Sequence, residues 1–166
     1  MKTKRMKLFS PLVYNSEEFH EYGIDQDGNP WSSKSGRWCR LSVNYPDKNY
    51  NPSAYARIGV SVNGKQKTLL LHKAVIETVG VKKYPIPEGI SKDVWIATHP
   101  SVKEAMKKIW QVNHKNGDVH DHHPSNLEYT TAKENQQHYQ TSLRVARKST
   151  GQQLSSLEQF FDGHWS

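Results

Sequence analysis

The chain has 166 residues, enough for one domain or one with a small appendage, and only 34% of them are apolar, so a modest core and long polar loops are expected. Mean hydropathy is −0.86, and no stretch approaches the roughly 18 consecutive apolar residues of a membrane span. The net charge of +7 and pI near 9.4 favour polyanionic partners, nucleic acid before acidic membranes, while the single cysteine, Cys39, excludes an intrachain disulfide and a Cys-based zinc site.

Residues 1–7 form a basic arm, Met1-Lys2-Thr3-Lys4-Arg5-Met6-Lys7, with no apolar signal-peptide core behind it. Residues 8–36 are polar and turn-rich. Within them Tyr22–Ser32 predicts a strand, an Asp27-Gly28 turn and a second strand. Gly36–Val43 is another short strand candidate, and residues 44–54 make a loop. Tyr55–Val62, Asn63-Gly64 and Lys65–Leu71 predict a hairpin. Ile58, Val60 and Val62 alternate with Arg57, Gly59 and Ser61, and both turn positions accept the positive φ of a two-residue turn. The first half is therefore expected to be a small antiparallel sheet interleaving Trp31, Lys34, Arg37, Trp38, Arg40, Arg57, Lys65 and Lys67. Such a face is either a solvated strand surface over an aromatic core or a sheet laid against DNA.

His72–Val79 predicts a helix stopped by Gly80, closing a region that spans 8–80. A connector follows over 81–109. Its prolines, Pro85, Pro87 and Pro100, predict a loop over 82–100. Ser101 with Glu104 predicts a capping box, and Val102, Ala105, Met106 and Ile109 a core-facing stripe. Residues 110–143 then read strand (Trp110–His114), polar loop (Lys115–Ser125), strand (Leu127–Thr130) and helix, with Thr131 and Glu134 as a second capping box and an end near Leu143. The tail, 144–166, carries Arg144, Arg147 and Lys148. Its Leu154, Leu157, Phe160 and Phe161 suggest a short amphipathic helix that packs on the body or contacts DNA or a partner.

Chemistry concentrates in 110–135. His114 ends an apolar run, Asn126 lies twelve residues later before a second one, and Asn135 nine further on, in the first turn of the predicted helix. Phosphodiester hydrolysis needs a base for water, a counter-charge on the phosphate oxygens and help for the leaving oxygen. Histidine suits the first task near neutrality, and a Mg²⁺ ion bound by oxygen ligands, an Asn carbonyl among them, suits the others. Consecutive strand residues point to opposite faces, so Asn113 and His114 are expected to meet different partners. A helix N-terminus such as that around Asn135 favours a phosphate.

Val112-Asn113-His114-Lys115-Asn116-Gly117-Asp118, Pro124-Ser125-Asn126-Leu127-Glu128-Tyr129-Thr130 and Glu134-Asn135 resemble the ββα-metal (His-Me finger) motif of the HNH endonuclease family, and of phage-type HNH homing endonucleases in particular. Leu70-Leu71-His72-Lys73-Ala74-Val75 is similar to a helix that often precedes the motif, and Tyr22–Ser42 to strands at the start of such proteins. The resemblance covers about residues 20–80 and 110–140. It implies an α+β fold: a small N-terminal antiparallel sheet region, then helices and the HNH motif. It implies His114 as general base, Asn113 and Asn135 as ligands of one divalent ion (Mg²⁺, with Mn²⁺ substituting), and Asn126 as the amide that ties the loop and orients His114. The expected activity is cleavage or nicking of duplex DNA in the cytoplasm of a bacterial or phage-infected cell, without secretion or membrane attachment. Lys34, Arg37, Arg40, Lys65 and Lys67 are the expected DNA contacts. One site per chain requires two chains or two turnovers to cut both strands, which leaves a homodimer open.

The chain departs from the family pattern in two places. Asn113 stands where relatives often carry Asp, and a neutral amide binds Mg²⁺ more weakly. His120, Asp121, His122 and His123 stand where asparagines and an arginine are common. The alternative is thus a DNA-binding protein of HNH fold that no longer cuts. His120, His122 and His123 as a zinc site and His114 as a structural histidine are the competing readings of single residues. His72 and His138 are expected on the surface or in packing, with His138 also placed to support Asn135 from one turn further along the helix.

Overall fold

The computed structural model describes residues 8–47 and 54–149, with side chains described as far as Thr141. The basic arm and the helix expected around Leu154–Phe161 lie outside the described residues. The chain divides into two compact units, Met1–Thr131 and Ala132–Ser166.

In the first unit, β1 (Phe9–Tyr14), β2 (Glu17–Asp25), β3 (Pro30–Ser32) and β4 (Cys39–Arg40) form an antiparallel sheet in that order. β5 (Arg57–Val62) and β6 (Lys65–Leu70) form a separate hairpin. Asn63 and Gly64 have φ of 50° and 75°, as the Asn-Gly reading requires. β1 and β2 are joined by a turn at Asn15 and Ser16, both at positive φ, which turn chemistry did not announce because neither is glycine. The basic residues expected on one sheet are accordingly divided. Lys34, Arg37 and Arg40 belong to the β3–β4 region, and Lys65 and Lys67 to β6. Gly36–Val43 supplies only the two residues of β4; the next residue, Asn44, makes a bridge to Arg57.

α1 (Leu71–Thr78) lies in the middle of this unit, with Leu71, His72, Ala74, Val75, Ile76 and Glu77 all buried. The core gathers Leu12, Phe19, Tyr22 and Ile24 from β1–β2, Ile58, Val60 and Leu69 from β5–β6, and Leu127 and Tyr129 from further along the chain. Fully burying an aliphatic side chain of this size contributes about 1.5–3 kcal/mol. Polar bonds register the layers. Val13 N donates to Thr78 Oγ1 at 2.9 Å, and Ser61 N to the Tyr22 hydroxyl at 2.7 Å. The buried Glu77 carboxylate accepts from Ser16 N at 3.2 Å and from Lys107 Nζ at 3.3 Å, so its charge is paired.

Three expectations for the connector are corrected. Residues 82–100 contain α2 (Lys92–Ala97), capped by Ser91 and anchored by the buried Trp95; six residues are too few to display a helical period. α3 (Pro100–Ala105) starts one residue before Ser101, capped by His99 Nδ1, which accepts from Ser101 N at 3.2 Å. Glu104 closes no capping box. It accepts from the Tyr84 hydroxyl and, at 3.1 Å, from Lys107 Nζ. Of the predicted core stripe, Met106 packs against the core, whereas Ala105 is exposed and Val102 and Ile109 are 47% and 55% exposed. Aromatic rings supply much of the core here. Trp110 packs on Tyr84 at 4.9 Å and on Trp95 at 5.7 Å, and Tyr84 meets Tyr129 at 4.9 Å.

After the 3₁₀ turn Lys107–Ile109 come β7 (Gln111–His114) and β8 (Leu127–Thr130), an antiparallel pair, and then α4 (Ala132–Ser149) as the second unit. The order strand, loop, strand, helix follows the sequence reading, and α4 extends past the end expected near Leu143.

Candidate active site

The pairing of β7 with β8 sets Asn113 opposite Glu128 and His114 opposite Leu127. Their side chains meet different neighbours, as strand alternation requires. Asn113 Nδ2 donates to Glu128 Oε1 at 2.9 Å. His114, 4% exposed, stacks on Tyr55 at 5.8 Å and 16°, and meets the edge of His72 at 5.1 Å and 63°. Burial lowers the His114 pKa to about 4, although the carboxylates of Asp118 and Asp121 pull it upward. At neutral pH the ring is therefore uncharged and able to take a proton.

The loop between the strands is held by amides. Asn126 Oδ1 accepts from Asn116 N at 3.0 Å, and Asn126 Nδ2 donates to Asn116 Oδ1 at 3.0 Å and to the Asp121 carbonyl at 2.8 Å. Asn116 also donates to Asp121 Oδ2 at 2.7 Å and accepts from Asp118 N at 2.8 Å. Gly117, at φ 77°, turns the chain, and its N–H donates to the His114 carbonyl at 2.9 Å. Lys115 N and the Asn126 carbonyl bond at 2.8 Å, closing the loop's base. The backbone around His114 is thus fixed at both ends of a polar loop.

The histidines of this loop do not converge. His120 Nε2 lies 3.1 Å from the Ala54 carbonyl, and His122 Nδ1 3.1 Å from the His120 carbonyl. His123 Nδ1 pairs with Ser125 Oγ at 2.7 Å, and its Nε2 lies 3.9 Å from Asp27. Among the described residues no three His, Cys, Asp or Glu side chains form a metal-holding group. These contacts seat the loop on the β2–β3 turn. A Cβ on Gly28, itself at φ 84°, would stand 2.7 Å from the His122 carbonyl. Tyr45 covers the other side, with its ring 5.3 Å from His120 and 6.1 Å from His122.

Asn113 and Glu128 offer hard oxygen donors, the type Mg²⁺ takes, and no sulfur or imidazole cluster competes among the described residues. Asn135 lies in the first turn of α4, in the second unit. His72 is a residue whose packing partner the sequence reading did not give. It was expected in packing or on the surface and is 7% exposed, against His114. Its place in the Leu70–Val75 stretch marked it as part of a helix, but nothing local showed which ring it would face. Tyr55 and Glu128 were missed for the same reason, since only strand pairing and core packing bring them to His114 and Asn113.

The expected DNA contacts are partly engaged within the protein. Lys34 Nζ pairs with Glu21 at 3.3 Å, Lys67 Nζ with Glu17 at 3.3 Å, and the Arg40 guanidinium donates to Asn29. All five, Lys65 and Arg37 included, are exposed. Trp38, 41% exposed, stacks on Phe9 at 4.9 Å, and Trp31 Nε1 donates to Asp25 at 2.9 Å.

No family model matches the chain, and no curated protein matches it. A solved structure, of DNA binding and cleavage by the HNH homing endonuclease I-HmuI, is similar to it with a TM-score of 0.47 and 23% identity, over 89% of this chain. The chain spans 63% of the length of that endonuclease.

Proposed function

We propose that this chain is a metal-dependent DNA endonuclease of HNH type. The observation that supports the reading best is the β7–loop–β8 unit. Asn126 ties the loop by three side-chain bonds, and the neutral His114 ends the strand entering it. In this reading His114 takes the proton from the attacking water. Asn126 positions it by holding the backbone on either side. Asn113, with Glu128 against its amide, contributes oxygen to a divalent ion. Asn135 is the second ligand candidate. When bound, the ion counters charge on the scissile phosphate and stabilises the leaving oxygen. Lys34, Arg37, Arg40, Lys65 and Lys67, all exposed, hold the duplex.

The test is incubation of supercoiled plasmid with the protein in Mg²⁺, Mn²⁺ or EDTA, beside His114→Ala. The expected result is ion-dependent nicking or linearisation, absent in EDTA and in His114→Ala. DNA binding by mobility shift should be retained in the variant, since affinity comes mainly from phosphate contacts elsewhere. Binding without cleavage in either ion would leave a non-cleaving DNA-binding protein. Undiminished cleavage by His114→Ala would remove His114 as the base.

A further inference from the structure

His72 and His114 come from distant parts of the chain and meet inside the first unit, 7% and 4% exposed, with ring centroids 5.1 Å apart. Tyr55 packs on both, 4.5 Å from His72 and 5.8 Å from His114. One nitrogen of each imidazole, Nδ1 of His72 and Nε2 of His114, is enclosed without a hydrogen-bond partner in the protein. An enclosed ring nitrogen without a partner has lost its water with nothing in return, which is unfavourable. Here two such atoms occur on touching rings. Nor are the rings loose packing elements. α1 is buried along most of its length, and β7 is paired on β8, so neither backbone is placed to move away.

We infer that His72 is a positioning residue for His114: the two rings share one internal water, bonded to Nδ1 of His72 and Nε2 of His114, and this fixes the tautomer and plane of the His114 imidazole. Internal waters sit where buried polar atoms lack other partners. A base whose far nitrogen is engaged presents the other one in a defined protonation form, and groups that orient a reactive imidazole in this way set its efficiency without touching substrate. The reading rests on the proposed nuclease function for its consequence, but not for its geometry. Tyr55 contributes the ring face that holds both imidazoles in place.

Two substitutions separate the water from the packing. His72→Phe keeps an aromatic ring and removes both nitrogens, and His72→Asn puts an amide near the position of Nδ1. The ¹⁵N resonances of His114 are read on the full chain without DNA at neutral pH, and single-turnover nicking and DNA affinity are read beside them. Wild type should show a single His114 tautomer with a hydrogen-bonded Nε2. His72→Phe should convert it to a tautomer mixture and slow nicking by about tenfold or more at unchanged DNA affinity, with partial recovery in His72→Asn. A His114 spectrum unchanged in His72→Phe overturns the inference, whatever happens to nicking. If the spectrum changes but wild type never cuts DNA, the nuclease reading fails and the positioning contact stands.

Discussion

Asn126 and Asn116 bond each other twice across the β7–β8 loop, Oδ1 of Asn126 to Asn116 N and Nδ2 of Asn126 to Asn116 Oδ1, both at 3.0 Å. A third bond, to the Asp121 carbonyl at 2.8 Å, uses the remaining amide hydrogen. This one buried side chain therefore sets the shape of the loop that follows His114. Asn126→Ala should cost about 1–3 kcal/mol in urea denaturation, because it leaves buried polar groups without partners. Asn126→Asp should be at least as damaging at pH 7. A carboxylate keeps the acceptor but presents no hydrogen to Asn116 Oδ1 or the Asp121 carbonyl. Both variants should lose nicking more than DNA binding. Wild-type stability in Asn126→Asp would mean that the paired amides contribute little.

Asn113 donates to Glu128 across the strand pair, which gives Asn113→Asp two opposed effects. Without metal, two carboxylates face each other and the melting temperature should fall, by an amount corresponding to roughly 1 kcal/mol or less. With Mg²⁺ the added charge should tighten ion binding, measured by calorimetry, and restore the melting temperature. Faster nicking is not expected, because tighter ground-state binding does not itself lower the barrier. If Mg²⁺ shifts neither the calorimetric signal nor the melting temperature of Asn113→Asp, Asn113 is not a ligand.

Acid should unfold the protein from a higher pH than its carboxylates alone would explain. Burial lowers His72 to about 3 and His114 to about 4, from an unfolded value near 6.5. The unfolded chain therefore takes up protons that the folded one refuses. The stability linked to these neutral rings is fully present above pH 6.5, is lost progressively as pH falls below it, and the loss levels off below the folded values. Each histidine adds a slope of up to about 1.4 kcal/mol per pH unit within that window. His72→Phe should reduce the slope measured by denaturation between about pH 6 and pH 4, near the middle of that window. An unaltered slope would show that His72 takes up its proton at the same pH folded as unfolded.

Salt dependence should distinguish the two lysines of β6. Lys65 is exposed, whereas Lys67 is paired with Glu17 at 3.3 Å and lies over the Phe19 ring at 5.5 Å. Lys65→Ala should flatten the slope of log affinity against log salt by about 0.9 if it touches one phosphate. Lys67→Ala should change it less, because its charge is already partly answered and its removal frees Glu17. Equal effects would show that DNA displaces the Glu17 pair. No effect from either would place the duplex elsewhere, with Arg37 the next residue to test.

Local chemistry in the sequence determined much of the first unit and the core of the candidate site. Ile58, Val60 and Val62 alternate, Asn63-Gly64 turns, and the β5–β6 hairpin follows with positive φ at both turn residues. β7, the polar loop and β8 could likewise be read, because each signal acts within a few residues. The same holds for Asn126, whose bonds reach only as far as Asn116 and Asp121. Tertiary packing decided what depends on distant partners. The Asn15-Ser16 turn forms because β1 and β2 pair around it, against the ordinary preference of serine. Val102 and Ile109 have a helical spacing but face solvent, while Tyr84, Trp95 and Trp110 pack on one another in the core. The neutrality of His114 and its meeting with His72 and Tyr55 are also products of packing. Burial and ring contact are properties of the assembled core, and no spacing along the chain encodes which of the nine histidines will lie against another.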